Sequence, residues 1–579
     1  MSWLPFGELP PHTARRFVPA GLQLGDPAVV LPLFDQLESR LATVDSAASL
    51  EVWLIDAGEL RAGIDEERAR RYIAMTCHTD NPAVEKAYLE LVEHLDPALK
   101  PRFFRLAQQF LANPWRSQLP KARYQIYDRN TALKVELFRE DNVALETDEE
   151  RLQQQYQKLI GAQTVTFRGE EKTLVQMGRV QEEPDRAVRE EGWRLVAARR
   201  RNDADACEES FDKLLALRHR QALNAGFANY RDYAFKARGR FDYGPAECLA
   251  FHEAIATEVV PLLRRLQARR RNLLGVASLR PWDLAVDPMN RPPLRPFSDA
   301  ADLAAKSQKI FDRLSPDLAA DFRTLQEHHL LDLANRKGKA PGGYQYTLSE
   351  ARLPFIFMNA VGLQRDVETL LHEAGHAFHA LAARQDPLEA YREAPIEFCE
   401  VASMSMELLS ANFLDEFYSP AEVKRARTVH LEGIVDVFPW IATIDAFQHW
   451  IYTHPGHSRA ERQSMWLELR RRFAGDVDWS GVENDEAILW HKQSHVFLYP
   501  FYYVEYGIAQ MGALQIWANA RRDPVAALKA YRYGLSLGGS RTLPELFAAA
   551  GCRFDFSSAA LRPLVALVES ELFAEHGVQ

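Results

Sequence analysis

Apolar residues recur every three or four positions through most of this chain, with charged residues filling the gaps. Segments 26–79, "DPAVVLPLFDQLESRLATVDSAASLEVWLIDAGELRAGIDEERARRYIAMTCHT", and 81–113, "NPAVEKAYLELVEHLDPALKPRFFRLAQQFLAN", have the spacing of amphipathic helices in an antiparallel bundle. The period breaks at 161–177, "GAQTVTFRGEEKTLVQM", where two β-branched stretches flank "RGEE" and predict a short hairpin. Long helices resume from residue 183. Segment 272–300 is rich in proline and turn formers and predicts a surface connection or a small irregular lobe. At 353–360, "LPFIFMNA" is a short continuous apolar run with aromatics, the pattern of a buried strand. Helical spacing returns over 366–383 and again over 393–410. No repeat or low-complexity tract interrupts the pattern.

Composition narrows the class. The chain has 579 residues, 47% hydrophobic and 26% charged, a globular profile too long for one ordinary core. The net charge of −10, with both signs mixed along the chain, gives no sustained basic face for nucleic acid or an anionic membrane. No uncharged apolar run reaches the roughly 18 residues of a membrane helix. No secretory signal is visible at the N-terminus. The five cysteines are scattered and odd in number, which is not a disulfide framework. A reducing, cytoplasmic location is the simplest reading.

Candidate chemistry concentrates in 366–383, "DVETLLHEAGHAFHALAA". On a helix, His372 and His376 are one turn apart and point the same way, so two imidazoles can hold one zinc ion. Glu373, at the rim of that face, can take a proton from water, the H-E-x-x-H logic of zinc hydrolases. Leu370, Leu371, Ala374, Ala377, Phe378 and Leu381 would bury the helix, and buried ring nitrogens and carboxylates need partners. Gly375 costs about 1 kcal/mol of helix stability and makes sense where another backbone or a ligand passes close. His379 lies a further turn along, roughly 10 Å from His372 by helical rise, and is better suited to the substrate side or an outer hydrogen bond than to the metal.

The third ligand is expected on the next acid-bearing helix, "EAPIEFCEVASMSMELLS". Glu397, Glu400 and Glu407 fall on one side. Small residues after Glu400 allow close packing against the histidine helix. Glu407 can accept a hydrogen bond from a ligand histidine, with Asp366 and Glu368 as rival outer partners. Two histidines, one glutamate and a position left for water describe a catalytic rather than a structural zinc site. Downstream, Tyr499, Tyr503 and Tyr506 fall at i, i+4 and i+7 and read as one helical face. A tyrosine stripe is often plain core, but phenols beside His495 can also aim donors at a developing oxyanion.

At these residues the sequence resembles the oligoendopeptidase F and thimet oligopeptidase family of zinc peptidases, the oligoendopeptidase F branch in particular. The motifs are "HEAGHAFH", "EFCEVASMSMELL", "GKAPGGYQYTLSEARLPFIFMNA" and "SHVFLYPFYYVEYGIAQMGALQIW", and the similarity covers roughly 185–565. The resemblance implies a mainly α, large two-lobed helical peptidase with a deep central channel and a small β-sheet next to the zinc helix. It implies three regions: N-terminal helices over 1–110, a helix and hairpin region over 111–184, and the zinc peptidase region over 185–579. It places one Zn2+ on His372, His376 and Glu400, with Glu373 as general base and Glu407 behind the ligands. His495 and Tyr506, with Tyr503 nearby, fall on transition-state and substrate-binding positions. Gly342, Gly343, Tyr344, Phe355, Phe357, Tyr499, Tyr502 and His379 would line the bound peptide, and the strand "LPFIFMNA" would pair with it. The implied activity is a metalloendopeptidase hydrolysing internal bonds of short oligopeptides. A zinc carboxypeptidase or dipeptidyl carboxypeptidase is the alternative, and would need a cation such as Arg352 for the substrate carboxylate. A non-catalytic peptide-binding protein is the remaining reading.

Overall fold

The N-terminal pattern folds as helices Pro27–Ala42 and Ala47–Cys77, in a computed structural model that describes residues 3–336, 338–340 and 342–574. Ser46 caps the longer helix, accepting from the Ser49 backbone N–H while the Ser49 hydroxyl accepts from the Ser46 N–H. The two helices bury Leu33, Phe34, Leu37, Leu50, Trp53 and Leu54 against each other and against Leu91 and Phe110. Trp53 Nε1–H donates to the Leu37 carbonyl at 2.9 Å, so the one polar atom in that packing has a partner.

The chain divides into two compact units, each assembled from three separated segments. The first unit is Met1–Glu136, Leu294–Ala426 and Gly512–Phe554; the second is Leu137–Pro293, Arg427–Met511 and Asp555–Gln579. Most described residues are helical. The predicted hairpin forms in the second unit from β1 (Thr164–Phe167) and β2 (Glu170–Thr173), paired antiparallel. Arg168 and Gly169 take φ of +51° and +85°, the backbone a two-residue hairpin loop demands.

In the first unit β3 (Leu331–Ala334), β4 (Tyr344–Leu348) and β5 (Leu353–Ala360) make a mixed sheet of order β3-β5-β4. The apolar run "LPFIFMNA" is therefore the central strand, parallel to β3 and antiparallel to β4. That explains its continuous hydrophobicity: Phe355, Ile356 and Phe357 are completely buried. It also corrects the expectation that this strand pairs with a peptide, because both its edges are already hydrogen-bonded. The edge on that side of the sheet belongs to β4. The histidine helix (Gln364–Ala383) packs on β4 and β5, and the glutamate helix (Ile396–Ser410) packs on the histidine helix.

Segment 272–300 is irregular as expected, but it is not merely a surface connection. Trp282 and Asp283 are buried, and Asp283 receives Arg186 at 2.7 Å and Arg189 at 3.1 Å. Those ion pairs anchor the irregular backbone within the second unit.

Candidate metal centre

The histidine helix begins where Asp366 turns back on the preceding loop. Its carboxylate accepts from the backbone N–H groups of Val361 (2.8 Å) and Leu363 (2.9 Å). Asp366 is therefore a cap and not a partner of the histidines. Glu368 likewise accepts from the Gln364 amide at 2.9 Å. The outer partner of His372 is Glu407, whose Oε1 lies 2.7 Å from Nδ1. This fixes the ring and leaves Nε2 facing Glu400. The Cys399 backbone carbonyl faces the His376 ring and favours its protonated form, a relationship with no signal in the side-chain pattern.

His372 Nε2 is 3.4 Å and His376 Nε2 is 3.7 Å from Glu400 Oε2. One donor atom from each of the three residues lies within 4.8 Å of the others. Donors about 2.0–2.2 Å from a shared tetrahedral centre would stand about 3.4 Å apart, so the spacing and the N,N,O donor set fit zinc. The side chains of His372 and His376 keep 23% and 16% exposure while Glu400 keeps 6%. The imidazoles thus leave one side of the centre accessible. Ser403 Oγ donates to Glu400 Oε2 at 3.1 Å and holds the carboxylate in place.

The glutamate helix comes this close because of Gly375. A β-carbon there would meet Ser403 Cα at 2.5 Å and the Ala402 carbonyl oxygen at 2.7 Å. The same Ala402 carbonyl accepts from the Tyr531 hydroxyl at 2.8 Å, which ties helix Pro524–Ser536 to the pair.

Charges are polarised in this arrangement. Burial opposes the Glu400 carboxylate, but the His372 hydrogen bond and the charges on His376 and His372 hold it at about 2. Burial also opposes a proton on His372, yet the hydrogen bonds to Glu400 and Glu407 raise it well above the usual imidazole range. Burial pushes His376 down to about 4. Glu373 is pushed up to about 7, mainly by burial, against the opposing pull of the His372 charge and, less, of the Gln345 backbone on β4. Its Oε2 has no hydrogen-bond partner. A buried carboxylate oxygen with no partner thus stands beside the cluster of donors.

Other expected residues lie elsewhere. His379 is buried against Phe398, with ring centroids 5.8 Å apart and Nε2 without a partner, and is not one of the clustered donors. Phe355 packs on Phe6 at 5.5 Å, and Phe357 stacks on Tyr344 at 4.7 Å, so both rings serve the core beneath the sheet and cannot line a bound peptide. Tyr344 is itself held, its hydroxyl 2.6 Å from Thr76 Oγ1. Gly342 has a φ of +98° and gives the turn into β4 its left-handed residue. At Gly343 a β-carbon would press on Thr369 Cγ2 at 3.3 Å.

In the second unit His495 sits among phenols. Its ring centroid is 4.9 Å from Tyr503, 5.6 Å from Tyr502, 5.7 Å from Tyr506 and 6.3 Å from Tyr499. The Tyr506 hydroxyl is 3.5 Å from His495 Nε2, and Gln493 Nε2 is 2.8 Å from Nδ1. The cluster forms, but not as one helical face. Helix Ser494–Leu498 ends before Tyr499, and a new helix starts at Tyr503. Pro500 drives Tyr499 out of the helical region, and Phe501 takes a φ of +63°. Tyr499 is left 52% exposed.

The chain is similar in sequence and fold to known peptidases. Residues 179–565 match Peptidase family M3. Oligopeptidase PepF of Bacillus subtilis (strain 168) is 23% identical over 301 residues, covering 50% of this chain and 43% of the relative. The chromosomal oligoendopeptidase F of Lactococcus lactis subsp. cremoris is 22% identical over 315 residues, covering 51% and 49%. The matched stretches thus span about half or less of these curated relatives. A solved structure of PZ peptidase A with inhibitor 2 superposes with a TM-score of 0.90 at 27% identity, over 96% of this chain and 99% of that one. With a family match over two-thirds of its length and the H-E-x-x-H helix inside that match, this chain belongs to Peptidase family M3, a metallopeptidase family.

Proposed function

We propose that the protein is a zinc-dependent endopeptidase of oligopeptides. The observation that carries this reading is the convergence of His372, His376 and Glu400 beside the buried, unpartnered Glu373 oxygen. His372, His376 and Glu400 would hold one zinc ion, with Glu407 fixing His372. When bound, zinc supplies Lewis acidity, lowering the pKa of water toward about 7 and polarising a carbonyl. Glu373 takes the proton of the attacking water and returns it to the departing amine nitrogen. His495 and Tyr506 are assigned to the oxyanion on the resemblance of segment 494–517 and on their mutual placement in the second unit. Tyr503 and Tyr502 pack around His495 and set its position.

The peptide is assigned to the edge of β4 that does not face β5. Gln345 already turns its backbone N–H to Glu373 from that edge. Strand alternation gives Thr347 the same outward face. Main-chain pairing there holds extended peptides with little sequence preference. The carboxypeptidase reading loses its candidate clamp, since Arg352 is buried and donates to the Arg384 carbonyl at 2.8 Å.

The catalytic region is assigned to 185–579 on the family resemblance, with the N-terminal helices over 1–110 and the helix and hairpin region over 111–184 before it. No helix among the described residues is long and apolar enough to cross a membrane. The five cysteines are free, which supports a cytoplasmic location. The deciding experiment digests a pool of end-blocked peptides alongside a folded protein, with and without chelator. Internal cuts in the blocked peptides that chelator abolishes, with the folded protein intact, support the reading. Absence of cuts in blocked peptides overturns the endopeptidase assignment.

A further inference from the structure

The second unit contains a further group of metal-ligating side chains. Helix Pro245–Ala254 carries Cys248 and His252, four apart, and helix Pro420–Thr453 carries Asp445 and His449, also four apart. Each pair therefore projects from one side of its helix. One donor atom each from Cys248, Asp445 and His449 lies within 4.8 Å of the other two. All four residues are deeply buried, at 1%, 1%, 0% and 6% exposure in chain order.

Hydrogen bonding does not account for this cluster. His252 Nε2 is 2.7 Å from Asp445 Oδ2 and satisfies that oxygen. Asp445 Oδ1 has no partner, and neither does either ring nitrogen of His449. His449 Nε2 stands 3.3 Å from Asp445 Oδ2, but in a direction that makes no hydrogen bond. The surroundings offer little relief. Phe235 and Phe501 lie 5.5 Å and 5.4 Å from the His449 ring, and Phe473 lies 6.3 Å from His252. The nearby Arg240 guanidinium is paired with Glu505 at 2.8 Å. A buried carboxylate, a thiol and an imidazole with open donor atoms in an aromatic shell are costly unless a cation joins them.

We propose that Cys248, Asp445 and His449 bind a second divalent ion of the zinc type, with His252 donating to Asp445 to orient the carboxylate. The thiolate, carboxylate and imidazole donors match a borderline-soft ion rather than magnesium or calcium. An outer hydrogen bond on a ligating carboxylate is a regular feature of such sites. Binding releases one proton, that of the Cys248 thiol, and two negative charges then balance the ion. With three protein ligands the ligand count alone does not set the role; burial of the whole cluster shuts substrate out, so the ion would clamp helix Pro245–Ala254 to the long helix.

The test is cobalt substitution of the full-length protein followed by absorption spectroscopy. The first centre contains no thiolate, so a thiolate-to-cobalt charge-transfer band reports this cluster alone. The band is expected in the wild type and is expected to vanish in Cys248→Ser, with zinc content after zinc loading falling by one ion per chain. The measurement on wild type needs no variant to fold. Cobalt-loaded wild type without the band overturns the proposal and leaves a histidine–aspartate hydrogen bond without a metal in its place.

Discussion

Gly375 of the histidine helix and Ser403 of the glutamate helix are in backbone contact, and a β-carbon on Gly375 would stand 2.5 Å from Ser403 Cα. The obstacle is main chain, so no side chain can rotate away. Gly375→Ala gains about 1 kcal/mol of helix propensity but introduces overpacking of about 1–3 kcal/mol. It also moves Glu400 relative to His372 and His376. The expected result is a lower melting temperature together with weaker zinc binding, read by calorimetry and zinc titration. An unchanged zinc affinity would mean that the helix spacing does not set the ligand geometry.

Glu373→Gln removes a proton acceptor without removing a ligand. Zinc content should stay at the wild-type level while peptide turnover falls to background, measured by metal analysis and a quenched peptide. Wild-type turnover in this variant would remove Glu373 from its assigned role.

Glu407 meets His372 Nδ1 at 2.7 Å. Loss of an outer partner of this kind weakens metal binding about 10–100-fold. Glu407→Ala should therefore show that loss in a chelator competition, and excess zinc should restore most of the activity. Activity that excess zinc fails to restore would mean that Glu407 does more than orient the ring.

Tyr506→Phe tests the phenol cluster. Removing one oxyanion donor costs about 10²–10³ in kcat, and zinc content should not move. A kcat within twofold of wild type would reassign the Tyr506 hydroxyl to packing.

His379 is held down to about 3 by burial and then by His376. In the unfolded chain an imidazole takes its proton near 6.5. Between about 6.5 and 3 the unfolded state therefore binds the extra proton, and stability falls as pH falls through that window. In chelator-treated protein, His379→Leu should lose less thermal stability than wild type on going from pH 7 to pH 5. Equal losses would show that His379 is not buried neutral.

The centre was legible because its parts obey local periods. His372, Glu373 and His376 need only a helix. Glu400 and Glu407 need a second helix with small residues facing the first. Gly375 announced the close approach through its own helix cost. What stayed hidden depends on long-range pairing. The central place of β5 could not be read from an apolar run, because a buried strand looks the same whether it has one neighbour or two. The reassignment of Phe355 and Phe357 from peptide contact to core follows from that. Pro500 was visible and should have broken the Tyr499–Tyr506 face. The link between the His376 ring and the Cys399 carbonyl leaves no trace in side-chain identity. The Cys248, His252, Asp445 and His449 cluster was invisible because its pairs lie almost 200 residues apart.

The first unit draws on three stretches of chain, and the last ends at Phe554. Tyr531, which braces the glutamate helix, lies in that last stretch. On the ribosome, residues up to 136 emerge long before their partners. At synthesis rates of about 5–20 residues per second they stand roughly 20–80 s before the last stretch of their unit is made. Their own core is built almost entirely from residues 18–126, but the glutamate helix lacks the Tyr531 contact until synthesis is nearly over. The brace on the glutamate helix is thus among the last parts of its unit to be made.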